Sequence, residues 1–406
     1  MEDPAMNPIS KPFMCRRAGR RRLSALMAIV MAAVLVLAGC SRSGEGGGEG
    51  GDIKVAYVGD ITGANAMLGE QGAVGFEDGI AAINESGGVD GREIVVEKFD
   101  SQTDANAAQT AWRNAFATNP TAIYFSGLSS TFTAGYPTML QRKLPVLAAS
   151  SIPEAYGQDW FFSAYAEPDA SARILVEAAK KFLGGDLTGK RVALVGSNTP
   201  AVVQQRPFAE QAVEEYGGKL VAAEFSESGI ASFATQAQKI AAAKPDAVVT
   251  LEAGNQVVVT KDLVTAGITG PIIGTVGGAS TAQLEAINAP NFIGLRDVVA
   301  VEPGTELYDV VEKRGSREKA TSTYYVYGYA FATVLAAGLG ACGADCGPEE
   351  LAKAIHELGD LEVPNYVAPL NFEGTGSGVS SEVPFVWNPD KKAAEPAGDP
   401  IGVPGR

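Results

Sequence analysis

The sequence predicts an α/β fold of two similar lobes, each a parallel sheet covered by helices. Three observations carry that expectation. Short apolar runs alternate with amphipathic segments from Asp52 onward; the same alternation begins again after Tyr165. At 406 residues, 46% hydrophobic and 19% charged, the chain suits about two globular domains. Strands alternating with helices imply parallel pairing with helices on both sheet faces.

The first forty residues differ in kind. Lys11, Arg16, Arg17, Arg20, Arg21 and Arg22 are followed by an uncharged stretch from Leu23 to Gly39, the layout of an export signal. Leu37-Ala38-Gly39-Cys40 resembles a bacterial lipoprotein processing box, which makes Cys40 the expected lipidation site. A plain transmembrane anchor is the competing reading, but the apolar stretch is at the short limit of a span. Ser41 to Gly51 is rich in glycine and glutamate and reads as a hydrated tether.

In the first lobe, Ile53 to Val58 reads as a buried strand. Phe76, Ile80 and Ile83 form one stripe of a helix over Gly69 to Ser86. Strand Glu93 to Phe99, a helix from Asp104 to Asn119 capped by Asp104, and strand Ala122 to Phe125 follow. A helix over Ser130 to Arg142 leads to strand Val146 to Ala149.

The second series starts with a helix over Asp169 to Leu183 and strand Arg191 to Val195. Helix Pro207 to Tyr216, strand Leu220 to Phe225, helix Ser232 to Ala243 and strand Ala247 to Leu251 continue it. Helix Gln256 to Ala266 and strand Pro271 to Gly274 close the repeat. Later helices fall around Tyr324 to Gly340 and Glu349 to Leu358.

The formal net charge is −15, and loss of the basic segment before Cys40 would make it more negative. Such a surface repels phosphate backbones, and no basic stripe is interleaved with aromatics, so nucleic acid is not an expected partner. Of four cysteines, Cys342 and Cys346 stand in a Gly-rich ACGADCGP turn, where a disulfide is expected outside the cytosol. A metal site there would need further ligands.

The stretch IKVAYVGDITGANAMLGEQGAVGFEDGIAAINESGGVDGREI resembles the start of the branched-chain amino-acid-binding proteins of ABC importers. KPDAVVTLEAGNQ, LVTAGITGPIIGT and YGYAFATVLAAGL are similar to later landmarks of that family, in the same order. The resemblance covers about Ile53 to Pro389. It implies a periplasmic-binding-protein type I fold, two Rossmann-like lobes with parallel sheets joined by a three-crossover hinge near Ala166, Val301 and Pro364. The expected organisation is a signal segment (1–39), a lipidated cysteine and tether (40–51), one lobe (52–166 plus 302–364), another (167–301 plus 365–392) and a flexible tail (393–406).

Open parallel sheets bind ligands beyond the carboxyl ends of their strands, which directs attention to the loops there. Ser126 to Thr131 leave a strand and enter a helix, so the hydroxyls of Ser129, Ser130 and Thr131 and the helix-start amides converge; capping alone would also explain a serine there. Leu147 to Pro153 lines up with the family's Ser-Pro-Ala-Ala-Thr-Asn-Pro segment, which implies that Ala149, Ser150 and Ser151 hold a ligand's carboxylate and ammonium.

The pattern departs from the family at three places. The first-loop aromatic is here Leu68, the second-lobe tyrosine falls near Pro200 and Ala201, and the expected acid falls near Val276 and Gly277. Glu252, ending a strand of the second lobe, is the replacement acid if it faces the cleft; the alternative is a solvated glutamate. Tyr324, Tyr325, Tyr327 and Tyr329 read mainly as core packing, and His356, the sole histidine, as a helix-surface residue.

Enzymatic chemistry is not expected: a serine triad would depend on His356, and neither a G-x-S-x-G elbow nor a Walker loop is present. No cofactor or metal is expected. The resemblance implies a small polar solute and ABC permease subunits as partners of a monomer, with a lipid anchor in the bilayer. A ligand-sensing receptor of the same fold is the alternative reading.

Overall fold

The computed structural model describes residues 51–63, 65–227, 230–251, 255–275, 281–344 and 346–402. Cys40, the expected signal segment and nearly all of the tether lie outside them. Strand β1 (Ile53–Gly59) is buried on both faces. Its alternation sends Val55 and Tyr57 into one apolar cluster and Ala56 and Val58 into another on the opposite face.

Helix α1 (Ala66–Glu85), β2 (Ile94–Asp100), α2 (Ala105–Ala117) and β3 (Ala122–Ser126) follow. Asp104 caps α2 as expected, accepting from the amides of Asn106 and Ala107 at 2.9 Å each. The helix expected over Ser130 to Arg142 is two helices, α3 (Ser129–Thr133) and α4 (Tyr136–Arg142), parted at Gly135. A Cβ on Gly135 would sit 2.4 Å from the Trp112 ring, so the chain turns where only glycine clears that indole. Strands β4 (Val146–Ala148) and β5 (Phe161–Ser163) complete a parallel sheet ordered β2-β1-β3-β4-β5.

The chain then crosses to a second sheet through α5 (Pro168–Phe182), β6 (Arg191–Ser197), α6 (Pro200–Glu215) and β7 (Lys219–Ser226). Helix α6 starts seven positions before the expected Pro207, because Thr199 caps it and Pro200 occupies its first turn; Pro207 lies inside. Next come α7 (Ala234–Ala242), β8 (Ala247–Leu251), α8 (Gln256–Thr265), β9 (Ile272–Gly274), α9 (Thr281–Ile287) and β10 (Phe292–Arg296).

Returning to the first lobe, the chain forms α10 (Glu306–Arg314), α11 (Thr323–Cys342) and α12 (Pro348–His356). It ends in the second sheet with β11 (Ser381–Asn388), β12 (Ala393–Pro396) and β13 (Ile401–Gly402). That sheet is ordered β12-β11-β10-β9-β8-β6-β7, with β13 on β11 and the β10–β11 pair antiparallel. The expected flexible tail is corrected here: residues 393–396 and 401–402 pair with β11, whose edge amides need partners. Leu370, Phe372 and Val379, assigned by sequence to the second lobe, pack in the first lobe's core.

Helix α11 is apolar on all sides because it is a core helix, not a span; Tyr325, Phe331, Leu335 and Leu339 pack against β1 and α1. The approach of α1 to α11 depends on glycines. A Cβ on Gly75 would fall 2.0 Å from the Tyr325 carbonyl oxygen, and one on Gly328 would fall 2.3 Å from that of Gly72. The disulfide Cys342–Cys346 closes the turn leaving α11, as expected.

Three crossovers join the lobes, and two of them pair. Val299 donates its amide to the Asn365 carbonyl at 2.8 Å and Val367 to that of Asp297 at 2.9 Å. The Asn365 amide group reaches the carbonyls of Val299 and Ala300, each at 3.2 Å. Ser163, at the first crossover, accepts from Gly378 and donates to the Gly376 carbonyl.

Candidate functional site

At the carboxyl ends of the first lobe's strands, polar groups are tied into one platform. Asp60 follows β1 with no exposed surface. Its Oδ1 accepts from the Ser101 hydroxyl at 2.5 Å, beyond β2, and its Oδ2 from the Leu128 amide at 2.9 Å, beyond β3. Ser126 donates its hydroxyl to the Leu68 carbonyl at 2.8 Å, fastening the start of α1 to β3. Ser150, beyond β4, donates to the Gly127 carbonyl at 2.5 Å.

These ties place the expected residues in two groups. Ser129 and Ser130 are exposed at the start of α3, and Ser151 is half-buried. Thr131 is buried and its hydroxyl donates to the Leu128 carbonyl at 2.9 Å. Ala149 is fully buried with its amide given to the Phe125 carbonyl. Leu68 is half-buried in the first turn of α1. Glu252 and Gly277 lie outside the described residues.

On the second lobe the strand ends present amides and one carboxylate that sequence reading missed. Glu227, exposed just past β7, accepts at Oε1 from the Asn198 amide group at 3.2 Å, beyond β6. Its carbonyl accepts from Asn255, beyond β8, at 3.1 Å. Behind them Thr250 bonds Gln256 at 2.8 Å, and Gln256 bonds Thr260 at 2.9 Å, a buried chain. The strand-end rule that singled out Ser126 to Thr131 applies equally to Asp60 and Glu227.

Where the crossovers meet, four tyrosines pack together. Tyr165 faces Tyr327 at 5.3 Å between ring centres, and Tyr327 faces Tyr324 at 6.0 Å and Tyr366 at 6.2 Å. The Tyr327 hydroxyl donates toward Asp297. Burial pushes the Asp297 carboxyl up to about 7, and burial together with Asp297 pushes Glu382 up to about 8. Burial also carries the hydroxyls of Tyr165, Tyr327 and Tyr366 well above their ordinary range, so they stay neutral. Tyr325 is core, donating to Asp78 at 2.7 Å.

His356 does more than sit on a helix surface, as sequence reading had it. Its Nδ1 lies 2.7 Å from the Phe372 carbonyl and its Nε2 2.9 Å from that of Asp159, so the ring ties α12 to two loops. Among the described residues no cluster of three or more His, Cys, Asp or Glu could hold a metal ion.

A periplasmic binding protein family model matches residues 52–386. The Leu/Ile/Val-binding protein of Citrobacter freundii is 46% identical over 57 residues, a match spanning 14% of this chain and 16% of that protein. Among solved structures, the branched-chain amino acid transporter substrate-binding protein LivJ of Streptococcus pneumoniae, in complex with isoleucine, superposes with a TM-score of 0.65 at 20% identity. That likeness covers 85% of this chain and 99% of LivJ. A fatty acid ABC transporter substrate-binding protein from Thermomonospora curvata reaches a TM-score of 0.68 at 18% identity, covering 87% and 92% of the two chains.

Proposed function

The chain belongs to the periplasmic binding protein family, and from that premise we propose that it captures a small polar solute, an amino acid or a related amide or carboxylate, between its two lobes. It then delivers the closed complex to an ABC permease, held outside the cytosol by lipid on Cys40. No bond is made or broken. The observation that carries the reading is the pairing of strand-end groups: exposed Ser129 and Ser130 on one lobe, and Asn198, Glu227 and Asn255 on the other.

A ligand that touches both sets is bound more tightly by the closed arrangement than by the open one, and only such a difference shifts a conformational equilibrium. Hinge closure about a few crossovers is a motion for which the general case is periplasmic binding proteins themselves. Structural relatives include an isoleucine complex and a fatty acid transporter's binding protein, so fold does not choose between such solutes.

Thermal unfolding of the purified protein against amino acids, amides and small organic acids tests the reading, since a specific ligand raises the midpoint by mass action. A saturable rise with one chemical class, lost in the S130A/S151A double variant, supports it. No rise with any solute, or a rise indifferent to both serines, refutes it.

A further inference from the structure

We propose that His356 is a proton-operated clasp: its doubly protonated ring pins the 371–378 loop to the turn before β5, and loss of one proton undoes that link. The clasp does not depend on what the cleft takes. Nδ1 lies 2.7 Å from the Phe372 carbonyl oxygen, and Nε2 lies 2.9 Å from that of Asp159. A carbonyl oxygen only accepts, whereas a neutral imidazole has one N–H and one bare lone pair, so only the imidazolium completes both bonds. Whichever nitrogen keeps its proton in the neutral ring, the other meets its oxygen lone pair to lone pair. The bridge between the two loops is then broken.

The surroundings suit a cation. His356 is the last residue of α12, where the helix dipole favours positive charge. Asp159, Glu349 and Glu357 line one cavity with the ring, together with Lys143 and Lys353, and Glu373 stands exposed beside Phe372. Carboxylates therefore outnumber ammonium groups around it. Strand β5 meets the imidazole with the Phe162 ring, at 4.9 Å between ring centres.

The clasped loop leads to the hinge. Phe372 is buried, its ring edge-on to Phe162 at 5.5 Å. From there the loop zips onto the first crossover: Ser163 donates its amide to the Gly376 carbonyl at 2.6 Å and accepts from the Gly378 amide at 3.3 Å. Thr375 donates its hydroxyl to Glu167 at 2.5 Å, immediately before α5 of the second lobe. One loop thus joins the clasp in the first lobe to the entry of the second. Hinges are few and short, so a tie lost at Phe372 or Asp159 bears on how firmly the lobes are held.

His356 is the chain's only histidine, so isotope labelling of histidine nitrogen gives one pair of ring signals to follow from pH 5 to pH 9. Hydrogen exchange of the Phe161, Ser163 and Gly378 amides, corrected for intrinsic base catalysis, is measured over the same range. Protection at Phe161, or at Ser163 and Gly378, is expected to fall about tenfold in step with the ring's loss of its second proton, the equivalent of one hydrogen bond to a charged group. The Ile123 amide, bonded to the Pro145 carbonyl within the sheet, should keep its protection, and H356Q should show no step. A ring that titrates while loop protection stays level overturns the clasp. So does an equal step in H356Q, or a fall shared by Ile123, which would report opening of the whole lobe. Should H356Q not fold, the wild-type coincidence of the two transitions, with Ile123 level, decides by itself.

Discussion

The Tyr327 hydroxyl lies 3.2 and 3.3 Å from the two carboxylate oxygens of Asp297, one donor shared by both acceptors at the point where the second crossover leaves β10. Around that contact the hinge is aromatic and buried, and the Asp297 charge helps raise the buried Glu382. The hinge therefore carries two carboxyls that prefer to be neutral.

Stability should depend on pH in a direction that follows from those two groups. Both bind protons more tightly folded than unfolded, so their contribution is full below the unfolded carboxylate value of about 4 and is lost as pH rises through about 7 for Asp297 and about 8 for Glu382. Urea denaturation from pH 5 to pH 9 is expected to show falling stability. Glu382→Gln should flatten the upper part of that fall and raise stability at pH 8.5; an unchanged profile in the variant would remove Glu382 from the account.

Tyr327→Phe deletes the donor while leaving the ring stack with Tyr165 and Tyr366. The buried Asp297 then loses its side-chain partner, at a cost of about 1 to 3 kcal/mol in the urea midpoint at neutral pH. The Asp297 carboxyl should rise further, because the Tyr327 hydrogen bond lowers it. Carboxyl chemical shifts followed against pH report that directly.

Gly75→Ala places a methyl where the Tyr325 carbonyl already stands. Helices α1 and α11 must separate, and a loss of about 3 kcal/mol is expected. Gly340→Ala, a control on the same helix α11 with open space at its Cβ, should not destabilise.

Reduction of Cys342–Cys346, or Cys342→Ser with Cys346→Ser, should lower stability by roughly 2 kcal/mol, the loop-closure figure for so short a loop. Calorimetry with and without reductant on the wild type and double variant checks it: reductant should have no effect on the variant.

The strand-end hydroxyl residues Thr131 and Ser130 should separate by role. Thr131→Ala loses the bond to the Leu128 carbonyl and costs about 1 kcal/mol of stability, whereas Ser130→Ala, exposed, should leave the unfolding midpoint of the ligand-free protein unchanged and weaken ligand binding. Parallel titrations and melts of the two variants distinguish them, and equal melting losses would contradict the assignment.

The period-two and helical patterns of Ile53 to Gly274 determined the two α/β series, because a strand buried on both faces or a helix with an apolar stripe announces itself locally in side-chain spacing. The Asp104 cap and the Cys342–Cys346 pair were legible for the same reason: both partners lie a few residues apart. Short strands such as β5 and β13 were not, since Phe161–Ser163 and Ile401–Gly402 are strands only because a neighbouring chain offers them hydrogen bonds.

What tertiary structure alone decided is where charge lies. In the sequence Asp60 is a loop aspartate, Asp297 follows an arginine and Glu382 sits among serine and valine. Only when loops beyond β2 and β3 close over Asp60, and crossovers distant in the chain enclose Asp297 and Glu382, does each carboxylate lose its water. Desolvation is a sum over everything that surrounds a group, and most of those surroundings come from far along the chain.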